Sequence, residues 1–317
     1  MGSQTETHDL PIVDLTDETL KPGTEAWVSA CKVVRTALED HGCFIARYNK
    51  IGEELCDSVV SALEQLFGLP LETKKQETSE KLFHNYYGQI PSLPLYESLG
   101  IDDPLNIKGC QKFTNIMWPQ GNDRFCESVN EYAKVLGEVD KVTKKMVFES
   151  YGVDSERCNS FIESGNYLLR CLKYRPPEKN ETHLGMQSHT DLTMQSVLHQ
   201  LNGVAGLEIK IKNGDWLLVH PSPSFFLVMA GDAFKVWSNG RIRPCEHRVI
   251  MNNAKEIRYS MGLFTFNGDI VQMPEEFVDD KNPLRYKPLF DHFDYLRFFD
   301  KEKIIDSDLR VKAYFGV

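Results

Sequence analysis

Residues 186–195 read MQSHTDLTMQ, and within them His189 and Asp191 stand two apart. Along an extended strand, side chains i and i+2 leave the same face, so an imidazole and a carboxylate at this spacing can aim at one point. Two such groups make two legs of a metal tripod, although a surface loop can carry the same pair by chance. The third leg has to come from elsewhere among nine histidines. His8, His41, His84, His183 and His292 fall in the tail, the helical half, an irregular loop, a turn and the approach to a C-terminal helix; each reads as exposed or structural. His199 follows the pair on what reads as the same strand, roughly 25 Å away at about 3.3 Å per residue. His220 precedes Pro221 and marks a turn. His247, in PCEHRVIM, opens a run with strand character and is the best third ligand.

Two imidazoles and one carboxylate on one side of an octahedral ion leave three positions open, the ligand set of non-haem Fe(II) oxygenases. A zinc hydrolase could use the same three groups. The stretch IRYSMG bears on the choice, because Arg258 and Ser260 again share a strand face, adjacent to His247 if the strands pair. A guanidinium fork beside a hydroxyl fits a carboxylate. Fe²⁺ with Asp191 keeps one net positive charge, a dianionic 2-oxo diacid overshoots by one, and Arg258 restores neutrality, without which the buried excess would be costly. A zinc hydrolase leaves Arg258 and Ser260 unexplained, and a jelly-roll binding module without chemistry would be expected to lose a ligand.

Those groups need a scaffold, and the 317 residues, 41% hydrophobic and 26% charged, are an ordinary globular composition. A net charge of −10 offers no basic footprint for nucleic acid. Eight cysteines without a C-x-x-C pair read as reduced core thiols. The polar start MGSQTETHDLP lacks a signal-peptide core, and no apolar run approaches membrane-spanning length. A cytoplasmic protein, expected to be a monomer, follows.

LPIVDL (10–15) alternates as a short strand, TEAWVSACKVVRTALEDHG has helical spacing ending at Gly42, and EELCDSVVSALEQLFGLP predicts a second helix. Residues 76–112, rich in Pro, Tyr and Gly, read as irregular, and 83–118 as a lid over a pocket. Arg124 to Tyr151 predicts a long helix. Afterwards NYLLRCLKY, GLEIKIK, WLLVH, FFLVMAGDAFKVWS, HRVIM and IRYSMGLFTF read as strands, with hairpin turns at Asn213-Gly214 and Asn239-Gly240. DYLRFFDKEKIIDSDLR reads as a closing helix. The expected fold class is mixed α/β (α+β): helices first, then an antiparallel sandwich or jelly roll. Counting by twos along IRYSMGLFTF turns Phe264 inward as a candidate substrate contact, and Phe113 and Trp118 are candidate lid aromatics. Such aromatic content points to an apolar or aromatic small-molecule substrate.

His189-x-Asp191, His247 and Arg258-x-Ser260, together with LPIVDL, ALEDHGCF, LFGLPLETK, SNGR and HRVIM, resemble the plant 2-oxoglutarate/Fe(II)-dependent dioxygenase superfamily over nearly the whole chain. FTNIMWPQGN, KMVFESYG and LGMQSHTD are most similar to its branch in specialised metabolism, which holds glucosinolate side-chain dioxygenases and deoxypodophyllotoxin synthase. The resemblance implies a double-stranded β-helix (jelly-roll) core at 165–270, an N-terminal helical and loop region at 1–120, a supporting helix at 121–155 and a C-terminal helical segment at 271–317, as one compact unit. It implies Fe(II) on the two histidines and Asp191, 2-oxoglutarate and O₂ as cosubstrates, ascorbate as a reductant, and hydroxylation, desaturation, ring closure or O-demethylation of a small plant metabolite. Where relatives carry Asn-Tyr-Tyr-Pro, this chain has Lys173-Tyr174-Arg175-Pro176. Tyr174 keeps a hydroxyl for the oxoacid; its two neighbours differ.

Overall fold

The structure, a computed structural model, describes residues 10–77, 79, 81–252 and 254–317; His8 lies outside them. Strand β1 (Ile12–Asp14) precedes helix α1 (Glu25–Asp40), and β2 (Cys43–Arg47) returns parallel to β1. Thr24 caps α1 by accepting from the Trp27 N–H at 3.2 Å. Gly42 leaves it at φ 75°, where a Cβ would also strike the Arg243 carbonyl. Next come α2 (Glu53–Gly68), the single turn α3 (Leu71–Lys74), β3 (Tyr96–Asp102), α4 (Ile107–Met117), α5 (Asp123–Ser150) and α6 (Ser155–Glu163). Along α5, Val129, Tyr132, Ala133, Leu136 and Val139 are buried at helical spacing, and α1, α2 and α4 pack against it.

The second half supplies β4 (Gly165–Tyr174), β5 (Leu184–His189), β6 (Gln195–Gln200), β7 (Leu207–Lys210), β8 (Trp216–Leu218), β9 (Phe225–Ala230), helix α7 (Asp232–Trp237), β10 (His247–Ile250) and β11 (Arg258–Asn267). Strands β12 (Ile270–Gln272) and β13 (Leu289–Asp291) pair with each other, and α8 (His292–Glu302) and α9 (Ser307–Phe315) close the chain. One sheet runs β1-β2-β9-β6-β11-β4-β3 and the other β5-β10-β7-β8. From β4 to β11 the chain passes back and forth between these sheets, the winding of a jelly-roll core. The larger sheet carries the helices on its outer face: Tyr259, Met261 and Leu263 of β11 join the helix-side core. Alternate residues Arg258, Ser260, Phe264 and Phe266 line a cavity between the sheets.

Several sequence expectations are corrected. The 76–112 region is not irregular throughout: β3 pairs with β4 over its full length, and α4 follows it. Its Pro and Gly content masked a strand whose Leu99 and Ile101 are fully buried. FFLVMAGDAFKVWS is half strand and half helix, turning at Gly231, where a Cβ would sit 2.2 Å from the Thr193 carbonyl. Asn213-Gly214 does join β7 to β8 as a hairpin. Asn239-Gly240 instead ends α7, with both residues at positive φ. The closing segment is two helices, broken at Lys303 in the left-handed region. All eight cysteines are free thiols, as expected. No helix among the described residues is long and apolar enough to cross a membrane.

Candidate active site

β5 and β10 are antiparallel neighbours, and their register sets His247 directly opposite His189. The ring centroids lie 4.3 Å apart. Each imidazole is oriented by its own backbone: His189 Nδ1 is 2.8 Å from the Gln187 carbonyl, and His247 Nδ1 is 3.1 Å from that of Cys245. A carbonyl only accepts, so both Nδ1 atoms carry the proton and both Nε2 lone pairs are free to bind a cation. They point toward Asp191, whose Oδ1 lies 3.8 Å from His189 Nε2 and 3.9 Å from His247 Nε2. Ligand atoms of all three residues fall within 4.8 Å of one another. His189 leaves 32% of its side chain open to the cavity. The surrounding protein, and then the adjacent His247, still hold its pKa down to about 4, so it stays neutral and ligand-competent at physiological pH.

Asp191 does not share a strand face with His189. β5 ends at His189, and Asp191 lies in the bend before β6. The bend is held from three sides. Ser196 donates its hydroxyl to Asp191 Oδ2 at 2.6 Å, which leaves Oδ1 for the histidines. The Asp232 N–H donates to the Asp191 carbonyl at 2.8 Å. Between His189 and Asp191, Thr190 donates to Asp232 at 2.8 Å and accepts from Arg310 of α9 at 2.9 Å. Asp232 and Arg310 form a buried ion pair, completed by hydroxyls from Tyr295 and Ser307. One residue further on, the Leu192 carbonyl accepts from His292 Nε2 at 2.8 Å, while His292 Nδ1 accepts from the Asn267 N–H.

These supports lead to two expected results. Ser196→Ala frees Asp191 Oδ2 and should weaken ferrous binding by roughly 10–100-fold, as loss of a group orienting a metal ligand does; unchanged affinity in an anaerobic titration would contradict the role. Burial holds the His292 pKa at about 4, whereas an unfolded imidazole titrates near 6.5. The unfolded chain therefore takes the proton first, and stability falls as pH drops from about 6.5 to about 4, by up to ~1.4 kcal/mol per pH unit. Urea midpoints across that window should decline less steeply in His292→Gln; identical slopes would count against it.

Across the cavity on the other sheet, Arg258 of β11 is 2% exposed. Its partners are neutral: the Gln200 carbonyl oxygen at 2.9 Å, Ser260 Oγ at 3.0 Å, and the Tyr174 ring, 5.3 Å from the guanidinium carbon. Burial lowers the Arg258 pKa and raises that of Tyr174, so the phenol remains a neutral donor. Arg258 and Ser260 thus meet the triad face to face across the sandwich, not side by side on paired strands. The cavity between them measures about 410 Å³, the size of a small-molecule site. A carboxylate and two imidazole lone pairs converge there, and among the described residues no lysine or arginine pairs with that carboxylate and no carboxylate pairs with the guanidinium that faces it. Those donors fit a ferrous ion with a carboxylate-bearing ligand beside it.

The match to known proteins agrees. The family described as the 2OG-Fe(II) oxygenase superfamily matches residues 165–267, and the non-haem dioxygenase in morphine synthesis N-terminal family matches residues 10–97. A probable 2-oxoglutarate-dependent dioxygenase of Arabidopsis thaliana, AOP1, is 41% identical over 300 residues, covering 92% of this chain and 97% of that one. The chain belongs to the 2OG-Fe(II) oxygenase superfamily. Among solved structures, the oxygenase superposes on the rice dioxygenase for auxin oxidation with a TM-score of 0.82 at 25% identity, covering 97% of this chain and 100% of that one. The Arabidopsis thaliana dioxygenase for auxin oxidation 1, solved with 2-oxoglutarate, gives 0.75 at 26%, covering 86% and 99%.

The remaining candidates divide. Phe264 lines the oxygenase cavity, as do Tyr87, Tyr96 and Tyr174. Phe113 and Trp118 do not: both lie on the helix side of the large sheet, packed on Phe125 at centroid distances of 5.9 and 4.7 Å. Helix α4 buries Phe113, and Trp118 caps its C-terminal end. His199 sits on β6, a strand separate from β5, and bonds the Tyr132 hydroxyl at 2.7 Å. The sequence reading missed Ser196, Gln200, Asp232 and Arg310. For Ser196 a signal existed, five residues beyond Asp191; ion pairing across 78 positions leaves none.

Proposed function

We propose that this dioxygenase oxidises a small plant specialised metabolite, most readily by hydroxylation, with His189, Asp191 and His247 as the ferrous ligands and Arg258 and Ser260 as the seat of the distal 2-oxoglutarate carboxylate. The observation that carries this reading is the opposition of three neutral-or-anionic donors to a buried guanidinium that has only neutral partners. Iron held there would activate O₂ while 2-oxoglutarate is decarboxylated to succinate and CO₂, with ascorbate able to keep the metal reduced. The chain's own residues orient and exclude. The Nδ1–H bonds of the two histidines fix their tautomers, and Ser196 fixes the carboxylate. Arg258, Ser260 and Gln200 set the direction from which the cosubstrate enters, and Tyr174 stands beside them as a neutral donor. The apolar walls around Phe264, Leu168 and Ile90 suit an apolar or aromatic body and keep water from the reacting bond.

Residues 165–270 are taken as the catalytic core, with 1–120, 121–155 and 271–317 as its buttresses in one monomeric, cytoplasmic unit. The test is addition of Fe(II) and 2-oxoglutarate under nitrogen. A weak visible charge-transfer band is expected, followed by succinate once O₂ and substrate are supplied. A protein that stays colourless and forms no succinate would refute the reading.

A further inference from the structure

A cation taken out of water needs a facing anion, or a ligand that brings one. Among the described residues the buried Lys and Arg side chains are Lys74, Lys144, Arg170, Arg258 and Arg310. Lys74 pairs with Glu97, Lys144 with Asp140 at 2.8 Å, and Arg310 with Asp232. Arg258 is matched by the cosubstrate in the reading above. Arg170 is left over, with no carboxylate partner among the described residues.

Arg170 lies on β4, 7% exposed, and lines the same cavity as the triad. The register sets it opposite Gly262, four residues along from the Tyr174–Arg258 pair, which is roughly 13 Å at about 3.3 Å per residue. Its side chain is held in place: it donates to the Phe83 carbonyl and the Ser98 hydroxyl, and its guanidinium lies 5.0 Å from the Tyr87 ring. All three partners are neutral, and a guanidinium has N–H groups to spare beyond two bonds. Iron, Asp191, the 2-oxoglutarate dianion and Arg258 sum to zero charge. Arg170 therefore carries the positive charge of this cavity that no described residue offsets.

We propose that the molecule oxidised is a small organic monoanion, whose carboxylate or sulfate group is received by Arg170 at the end of the cavity away from Arg258. Its apolar body then lies along Tyr87, Ile90, Leu168 and Phe264, which turns a C–H bond toward the triad on the facing sheet. Arg170 is a specificity-determining residue in this arrangement, since a neutral molecule of the same shape would leave the guanidinium buried and unmatched. The proposal rests on the dioxygenase reading.

The test offers the holoenzyme, with Fe(II) and 2-oxoglutarate, anion-exchange fractions of a leaf metabolite extract and measures succinate release above the substrate-free rate. Release is expected from the fractions retained as anions. Release that is equal or greater from neutral or cationic fractions overturns the proposal and leaves the dioxygenase reading standing; no release from any fraction overturns both. The active compound is then compared with its uncharged form, the methyl ester of a carboxylate or the parent alcohol of a sulfate. The parent protein should favour the anion by about 100-fold in kcat/KM, as charge-assisted hydrogen bonds allow. Arg170→Met should reduce that preference to within about threefold, with the 2-oxoglutarate KM unchanged, and Arg170→Lys should restore part of it. A guanidinium that merely anchors the Phe83 segment would lower both forms alike and leave the ratio intact, which overturns the proposal. Should Arg170→Met fail to fold, the parental ratio decides, and a value near one overturns it.

Discussion

Asp191→Ala is expected to fold as the parent does and to turn over 2-oxoglutarate at less than about a thousandth of the parental rate, beyond the 10–100-fold cost of losing a mere supporting group. The reason is charge as much as geometry. Asp191 Oδ1 is the anionic atom that faces both imidazole Nε2 atoms, at 3.8 and 3.9 Å. Alanine leaves two neutral donors, which bind a divalent ion weakly. The fold should survive because the bend is also tied through Thr190, Asp232 and the Leu192 carbonyl, none of which needs the Asp191 carboxylate. Circular dichroism and succinate formation measured on one preparation check both halves. Parental turnover in the variant would refute the ligand assignment.

Arg258→Gln should leave ferrous affinity near the parental value and raise the 2-oxoglutarate requirement by about 1,000-fold, as two charge-assisted bonds of roughly 2 kcal/mol each are lost. Glutamine keeps a hydrogen-bond donor but neither the fork nor the charge. Ser260 and Gln200 remain, so the variant separates the guanidinium from its neighbours. Iron and cosubstrate titrations distinguish the outcomes. Equal cosubstrate affinity in variant and parent would remove Arg258 from the site, whereas loss of iron and cosubstrate together would make its role structural.

Much of the site was legible because strand alternation is local. Arg258-x-Ser260 and Phe264 face the cavity as counting by twos requires. His189 and Asp191 do come together, but not by sharing a strand face: the strand stops at His189, and the convergence depends on Ser196 and Asp232 holding a bend. The partnership of His247 with His189 is a long-range register, and sequence offered it only by elimination among histidines. Reading Arg258 as a neighbour of His247 failed because β10 and β11, consecutive in the chain, belong to opposite sheets. Phe113 and Trp118 failed for a different reason. An aromatic residue in a Pro- and Gly-rich neighbourhood looks like a lid, yet α4 and its C-cap turn both onto Phe125 in the core. The edge strand β3 was hidden likewise, because a strand completed by its neighbour needs little periodicity of its own.

The most direct test is diffraction at the iron absorption edge from crystals grown anaerobically with Fe(II) and 2-oxoglutarate. The account predicts a single anomalous peak about 2.0–2.3 Å from His189 Nε2, Asp191 Oδ1 and His247 Nε2, the range of metal–nitrogen and metal–oxygen bonds, with the distal carboxylate of 2-oxoglutarate on Arg258. A peak held by other residues, or a cosubstrate turned away from Arg258, would contradict it.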